Sequence, residues 1–353
     1  MLPRMNRRRF LHTLACSAAG ASAWLPDHSA MGVERKQFRV PRILRNPDEP
    51  SRVAIIKGDD RKHNMMEALD LIKDDIRRGI GNKQVVIKVN FTASVEKADT
   101  HVDAVRAICE TISPFYKKPI IVSEGQSRDV PVEDDYEHFG FYELPKEYNV
   151  VLHDEWMEPF SPLTIVDHRW QMQPVQVCEM YRDPNVYLIS AAVLKRHASA
   201  VVTLSLKNVL MASIWYHDGL NQRKLMHVPG SRDDKALYAR QFALNQYLIG
   251  MHTAPDLAVI DGFAGMEIAE VYGKLVDHRV AIAGTDFLAA DRVGAALMGV
   301  EFEHIGTLNH CYNAGMGEAD LRNIDILGHS LSECRKEYAE KPGAEYMRYH
   351  WRL

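Results

Sequence analysis

The sequence predicts an α/β fold: a mainly parallel sheet with helices on both faces and a small β-rich or irregular insertion. Three observations predict it. From Arg52 onward, short apolar runs alternate with amphipathic stretches of helical period. Polar side chains cluster at the end of one run after another, as they do where the strands of a parallel sheet stop. Between residues 155 and 185, Pro159, Pro162, Pro174 and Pro184 interrupt the alternation, the mark of an insertion or of antiparallel hairpins.

The elements follow in order. Arg52–Ile56 reads as a strand, and Asn64–Arg78 as a helix with Met65, Leu69, Ile72 and Ile76 on one face. Gln84–Val89 is the second strand, ending in Lys88-Val89-Asn90. Ala104–Ile112 is helical, Pro119–Ser123 is a strand running into Glu124-Gly125, and Val150–His153 is a further short strand. After the insertion come two apolar runs, Val186–Leu194 and Ala200–Leu206, which read as buried strands or as a strand followed by a buried helix. Trp215–Asp233 is polar, rich in Gly and basic residues, and reads as a surface loop over a site. Lys235–Met251 is a helix, Leu257–Ile260 a strand ending in Asp261-Gly262, and Arg279–Ala283 a strand running into Gly284-Thr285-Asp286. Phe287–Met298 is a helix and Asn323–Leu327 a last strand.

The chemistry gathers where the apolar runs stop. Lys195-Arg196-His197 ends the first central run and Lys207-Asn208 the second; Lys88, Asn90 and Glu124 end earlier strands. Ends of parallel strands converge in space, so these groups are expected to share one cleft. Lys195 and Lys207 would supply charge to a small anion, with Lys88, Asn90, Glu124, Asn208 and His227 contacting it. His197, with a pKa suited to neutral pH, would be the general acid or base. Asp261, Glu267 and Asp286 are candidates to orient those groups or to hold a divalent metal, although no H-E-x-x-H or closely spaced ligand pair supports a metal. Two of them have plainer readings: Asp261-Gly262 is a common turn, and Thr285 or Asp286 is a natural helix N-cap. Asp291, five residues on, lies about 140° round the same helix and so on another face.

Several chemistries are absent from the sequence. It has no G-x-x-x-x-G-K-[ST] phosphate loop, no G-x-G-x-x-G after the first strand and no G-x-S-x-G elbow. Its five cysteines contain no C-x-x-C, so no iron–sulfur cysteine motif is encoded.

At 353 residues, with 46% hydrophobic and 25% charged residues, the chain can bury a core without staples. The organisation expected is an export signal over 1–32, a linker over 33–50, one α/β domain over 51–330 and a charged C-terminal tail over 331–353. The first 23 residues hold four arginines and no acid. Beyond them, 39 basic residues face 47 acidic ones, which argues against a nucleic-acid partner. Arg7-Arg8-Arg9-Phe10-Leu11, a mildly apolar stretch and Ala21-Ser22-Ala23 resemble a twin-arginine signal, whose machinery exports folded chains. No stretch reaches the length of a transmembrane segment, so a periplasmic or extracytoplasmic protein is expected.

Ile87-Lys88-Val89-Asn90, Lys195-x-His197, Leu206-Lys207-Asn208, Ile260-Asp261-Gly262 and Thr285-Asp286 through Asp291 occur in that order. In order and spacing they resemble the prokaryotic "domain of unknown function 362" family, across roughly Val85 to Gly328. The family has no settled activity. Some relatives are fused to ferredoxin-like iron–sulfur modules, whose cysteines this sequence lacks. It also departs after Asp261-Gly262, where a Gly-Pro-rich turn is usual and Met266-Glu267-Ile268-Ala269-Glu270 stands instead. The function expected is an enzyme acting on a small carboxylate or phosphate. The alternatives are a non-catalytic binding protein using the same cleft and, from the fused relatives, an accessory to a redox system.

Overall fold

Among the described residues the main sheet has nine strands, eight in one hydrogen-bonded row and the ninth added alongside a central strand. The computed structural model describes residues 37–40, 46, 48–92, 99–125, 131–217, 220–231 and 233–352. Residues 1–32, where an export signal is expected, lie outside them, as does most of the linker up to residue 47.

In chain order the elements are β1 (Ser51–Lys57), α1 (Arg61–Asp70), α2 (Lys73–Ile80), β2 (Gln84–Lys88), α3 (Val102–Ile112), β3 (Ile120–Glu124), α4 (Val132–His138) and β4 (Val150–Asp154). The single helix expected over Asn64–Arg78 is two, because Ile72 leaves helical geometry at φ −122 and ψ 17 while burying its side chain. The Pro-punctuated insertion is a separate antiparallel hairpin, β5 (Phe160–Val166) with β6 (Met172–Cys178). The centre is β7 (Val186–His197), β8 (Val201–Thr203) and α5 (Ser205–Ala212). Two antiparallel two-residue strands follow, β9 (Tyr216–His217) and β10 (Leu220–Asn221), and then the one-turn helix Arg223–Met226. The chain continues through α6 (Lys235–Thr253), β11 (Leu257–Glu267), β12 (Lys274–Gly284), α7 (Phe287–Leu297), α8 (Gly306–Asn313) and β13 (Ile324–Gly328).

Neighbours β13-β1, β11-β7, β7-β2, β2-β3 and β3-β4 are parallel; β12 runs antiparallel to both β1 and β11, and β8 antiparallel to β7. The central strands are apolar on both faces because helices cover both. The pleat sends Ala54, Ile87, Ile189 and Val259 into one core with α1, α2 and α3. It sends Val53, Leu194, Ile260 and Ile282 into the other, with α5, α6 and α7. Each Val, Leu or Ile side chain among them, taken fully from water, contributes about 1.5–3 kcal/mol before the entropy of ordering.

Two expectations change here, and the choice left open for the second central run is decided. β11 does not stop at Ile260: it runs on to Glu267, with a bulge between Gly262 and Ala264, so Asp261 lies within a strand and not at its end. Gly262 is needed there for close approach, since a Cβ would sit 2.6 Å from Val280 and 2.8 Å from Leu194. Lys207 and Asn208 follow a strand of only three residues and sit on the first turn of α5. The stretch from 331, charged in composition, packs onto the body: Cys334, Tyr338 and Met347 belong to the larger core, and the Tyr338 hydroxyl lies 2.8 Å from His278 Nδ1. Its apolar residues are too widely spaced among the charges to show a period.

Candidate functional site

β7 is longer than its neighbour β2, and that mismatch builds the site. Lys88, the last residue of β2, pairs with Ser190, so Ala191–His197 run on past the end of β2. Into this step folds the chain after β2. The Thr100 hydroxyl donates to Ala191 O at 2.6 Å and accepts from Asn90 N–H at 2.8 Å. Lys195 Nζ then donates to Asn90 Oδ1 at 2.6 Å and Thr92 Oγ1 at 2.9 Å. β8 doubles back on β7, pairing Thr203 with Lys195, and α5 returns towards β2. The Asn208 amide locks the return by donating to Lys88 O at 3.2 Å and Ser190 Oγ at 3.0 Å while accepting from Asn90 Nδ2 at 3.0 Å.

The result is a cleft of about 100 Å³. Of the residues singled out in the sequence, Lys88, Asn90, Glu124, His197, Lys207 and Asn208 line it. Lys195 lies fully buried beneath, held by Asn90 and Thr92. Lys88 is also fully buried, donating to Glu124 and, at 2.7 Å, to Val89 O. Glu124 further accepts from Phe91 N–H at 2.8 Å and Gly125 N–H at 2.9 Å, while burial pushes its carboxyl above the usual range. Lys88, Lys195 and Asn208 are thus engaged internally.

Lys207 differs. It is half-buried at the cleft, and among the described residues its Nζ makes no hydrogen bond. Burial, with the nearby Lys195 and Arg223 cations acting in the same sense, brings it down to about 8 against the opposing pull of Glu270. His197 is set by its own turn. Its Nδ1 accepts from Ser199 N–H at 3.0 Å and Ala200 N–H at 3.1 Å, so the neutral ring carries its proton on Nε2, 3.6 Å from Glu270 Oε1. Burial and the neighbouring Lys207 hold the ring well below the ordinary histidine range. The turn ends at Val201 with φ 69, a left-handed conformation rare for a β-branched residue. His197 is therefore a hydrogen-bond donor into the cleft more readily than a base.

Three charged residues that the sequence did not single out belong here. Glu270 lines the cleft and accepts from Ala198 N–H at 3.1 Å. Arg223 also lines it, donating to Ala212 O at 2.9 Å, with a terminal nitrogen 3.7 Å from Glu155 Oε1. Glu155 is fully buried; its Oε2 accepts from the Tyr181 hydroxyl at 2.6 Å, its Oε1 accepts no hydrogen bond among the described residues, and burial pushes it up to about 7. Only a signal for buried charge could have found them, and irregular segments carry none.

The remaining candidates lie elsewhere. Asp261 is 3.2 Å from Arg61 and accepts from Phe263 N–H at 2.9 Å. Glu267 accepts from Ala339 N–H at 2.8 Å. Asp286 caps α7 through Leu288 and Ala289 and also accepts from Ser51 and from Glu318 N–H. Asp261, Glu267 and Asp286 are thus not a joint ligand set, and no group of three His, Cys, Asp or Glu side chains among the described residues is placed to hold a metal. His227 does not line the cleft; its ring stacks on Phe242 and its Nδ1 lies 3.0 Å from the Tyr238 hydroxyl. Cys109, Cys178, Cys311 and Cys334 are buried and unpaired. Among the described residues no helix is long and apolar enough to cross a membrane.

No curated protein matches the sequence. Among solved structures, a protein from Thermotoga maritima is similar at 13% identity, over 66% of this chain and 57% of that one, with a TM-score of 0.34. This chain therefore spans a little over half of that protein's length, and so low a score carries no argument about either. The sequence itself is more telling: residues 85–296, which hold β2, the overhang of β7, α5 and the cleft between them, match a family of unassigned function, and the chain belongs to the domain of unknown function 362 family.

Proposed function

We propose that the chain is an exported enzyme that binds a small carboxylate or phosphate in the cleft at the end of β2 and acts on it there. The observation that carries this reading is Lys207, an ammonium facing the cleft with no internal hydrogen-bond acceptor among the described residues. A lysine is costly to desolvate unless something meets its charge. Arg223 and the Nε2–H of His197 face the same space and are suited to an anion's oxygens. The volume, about 100 Å³, is well above the roughly 10–15 Å³ that a single water needs, which leaves room for a ligand of a few heavy atoms. Lys88, Glu124, Asn90 and Asn208 act as the scaffold that fixes Lys195 and α5. Export rests on the arginine-led N-terminal segment.

Thermal melts with inorganic phosphate, acetate or succinate test the reading. A stabilisation that grows with anion concentration and disappears in Lys207→Met is expected. Equal stabilisation of both proteins would move the anion elsewhere.

A further inference from the structure

We propose that Lys207 is a nucleophile, and that its amine condenses with the carbonyl carbon of a small oxo acid seated in the cleft. The inference rests on the anion-binding reading and narrows the ligand to one with a carbonyl beside its acid group.

Three lysines meet here, and two are committed. Lys88 is held by Glu124 and Val89 O, and Lys195 by Asn90 and Thr92. Lys207 alone of the three presents an unbonded Nζ to the cleft among the described residues. Its surroundings favour a free amine: burial and the fixed Lys195 and Arg223 cations outweigh Glu270. A lysine desolvated beside another cation is an activated nucleophile. At about 8, roughly a tenth of it is uncharged at pH 7. The anion's own charge remains matched by Arg223.

The other groups needed are present. Glu270 lines the same cleft and acts on the Lys207 charge, and His197, which also lines it, has its Nε2 3.6 Å from Glu270 Oε1. The step balances with these alone. The Lys207 ammonium loses a proton that ends on the Glu270 carboxylate, and the freed lone pair attacks the carbonyl carbon while His197 hydrogen-bonds the carbonyl oxygen. A proton passes from nitrogen to that oxygen, giving a carbinolamine. Glu270 returns its proton to the hydroxyl, water leaves, and the C–N bond becomes an iminium. The net change is one ammonium and one carbonyl to one iminium and one water.

The test is reductive trapping. The full-length protein is incubated with pyruvate or glyoxylate and cyanoborohydride, and peptides are mapped by mass. A dominant reduced adduct on Lys207, absent from Lys207→Arg, with labelling that rises as pH passes about 8, is expected. Lys207→Arg keeps the charge, so its melting curve and pyruvate-induced stabilisation show that fold and anion site survive. Adducts spread alike over other lysines in both proteins would overturn the proposal. So would a wild-type protein that pyruvate stabilises but that carries no adduct; that outcome leaves the anion reading standing. If pyruvate, phosphate and acetate all fail to stabilise it, both readings fall.

Discussion

The Asp291 carboxylate, on α7, accepts from both the backbone N–H and the hydroxyl of Ser205, at 2.8 and 2.6 Å, and so closes the amino end of the helix that carries Lys207. Its second oxygen accepts from Leu206 N–H at 3.1 Å. The first donors of α5 are thus already taken by the protein, and an anion in the cleft must be met by side chains instead of by the helix terminus.

Replacing Asp291 by Ala strands these buried donors and should cost at least about 1–3 kcal/mol. Burial pushes the Asp291 carboxyl up to about 7. The folded state then binds the extra proton between about 4 and 7, and the stability this group contributes falls as pH rises through that window. Urea unfolding should therefore show a larger loss at pH 5 than at pH 8. A loss that does not change with pH would mean the carboxyl titrates as it does in water.

Lys88 and Glu124 form a pair with both side chains buried. Glu124→Gln leaves the ammonium uncompensated, at a cost of about 3–5 kcal/mol. Adding Lys88→Met should restore much of that stability. Equal instability of the single and double variants in chemical denaturation would show that Lys88 is not what Glu124 holds.

Lys207→Met should leave the fold at or above wild-type stability at pH 7. Lys207 is held down to about 8, below the roughly 10.4 of an unfolded chain. Between those values the unfolded state binds the extra proton, so wild-type stability gains from this group as pH rises from about 8 to 10.4. The difference between the variant's and the wild type's melting curves should shrink over that range. A large destabilisation at pH 7 would make Lys207 a structural residue.

His310 is buried between Tyr247 and Trp351, with ring centroids at 5.8 and 5.4 Å, and burial brings it down to about 4. From about pH 6.5 to 4 only the unfolded state takes up its proton, and stability falls with pH by about 1.4 kcal/mol per unit from this group. His310→Phe keeps the ring contacts and should flatten that slope. An unchanged slope would assign the acid sensitivity to other groups.

Export should depend on the arginine pair. Arg7→Lys with Arg8→Lys is expected to leave the precursor in the cytoplasm on fractionation. Undiminished export of the double variant would rule out the twin-arginine route.

Much of the sheet was legible because buried strands are apolar and bounded: Gln84–Lys88, Ile120–Glu124 and Val150–Asp154 lie within a residue or so of their expected limits. The strand-end rule holds for Lys88, Glu124 and His197, which line one cleft; Lys207 joins them from the first turn of α5. The rule failed at Asp261, because an Asp-Gly pair reads as a turn while the close approach of Val280 and Leu194, which requires Gly262, is tertiary. It could not say which lysine is engaged. That depends on the length of β7 relative to β2, and on Asn90 and Thr92 arriving over Lys195. Glu155, Arg223 and Glu270 were hidden for a related reason: a charged residue in an irregular segment looks solvated until packing encloses it.

The position of β1 orders the assembly of the chain. β1 pairs with β12 through Ala54 and Ala283, and with β13 through Ala54 and Leu327. A growing chain that has reached residue 270 possesses β2, β3, β4, β7 and β11, and can set those five side by side. β1, made first, still has neither neighbour. One edge of its backbone donors and acceptors stays open until residues 274–284 supply β12, and the other until residues 324–328 supply β13; closing loops that long is slow. Every residue that lines the cleft, from Lys88 to Glu270, is thus made before β1 finds either neighbour, so the cleft can take shape while that side of the sheet is still open.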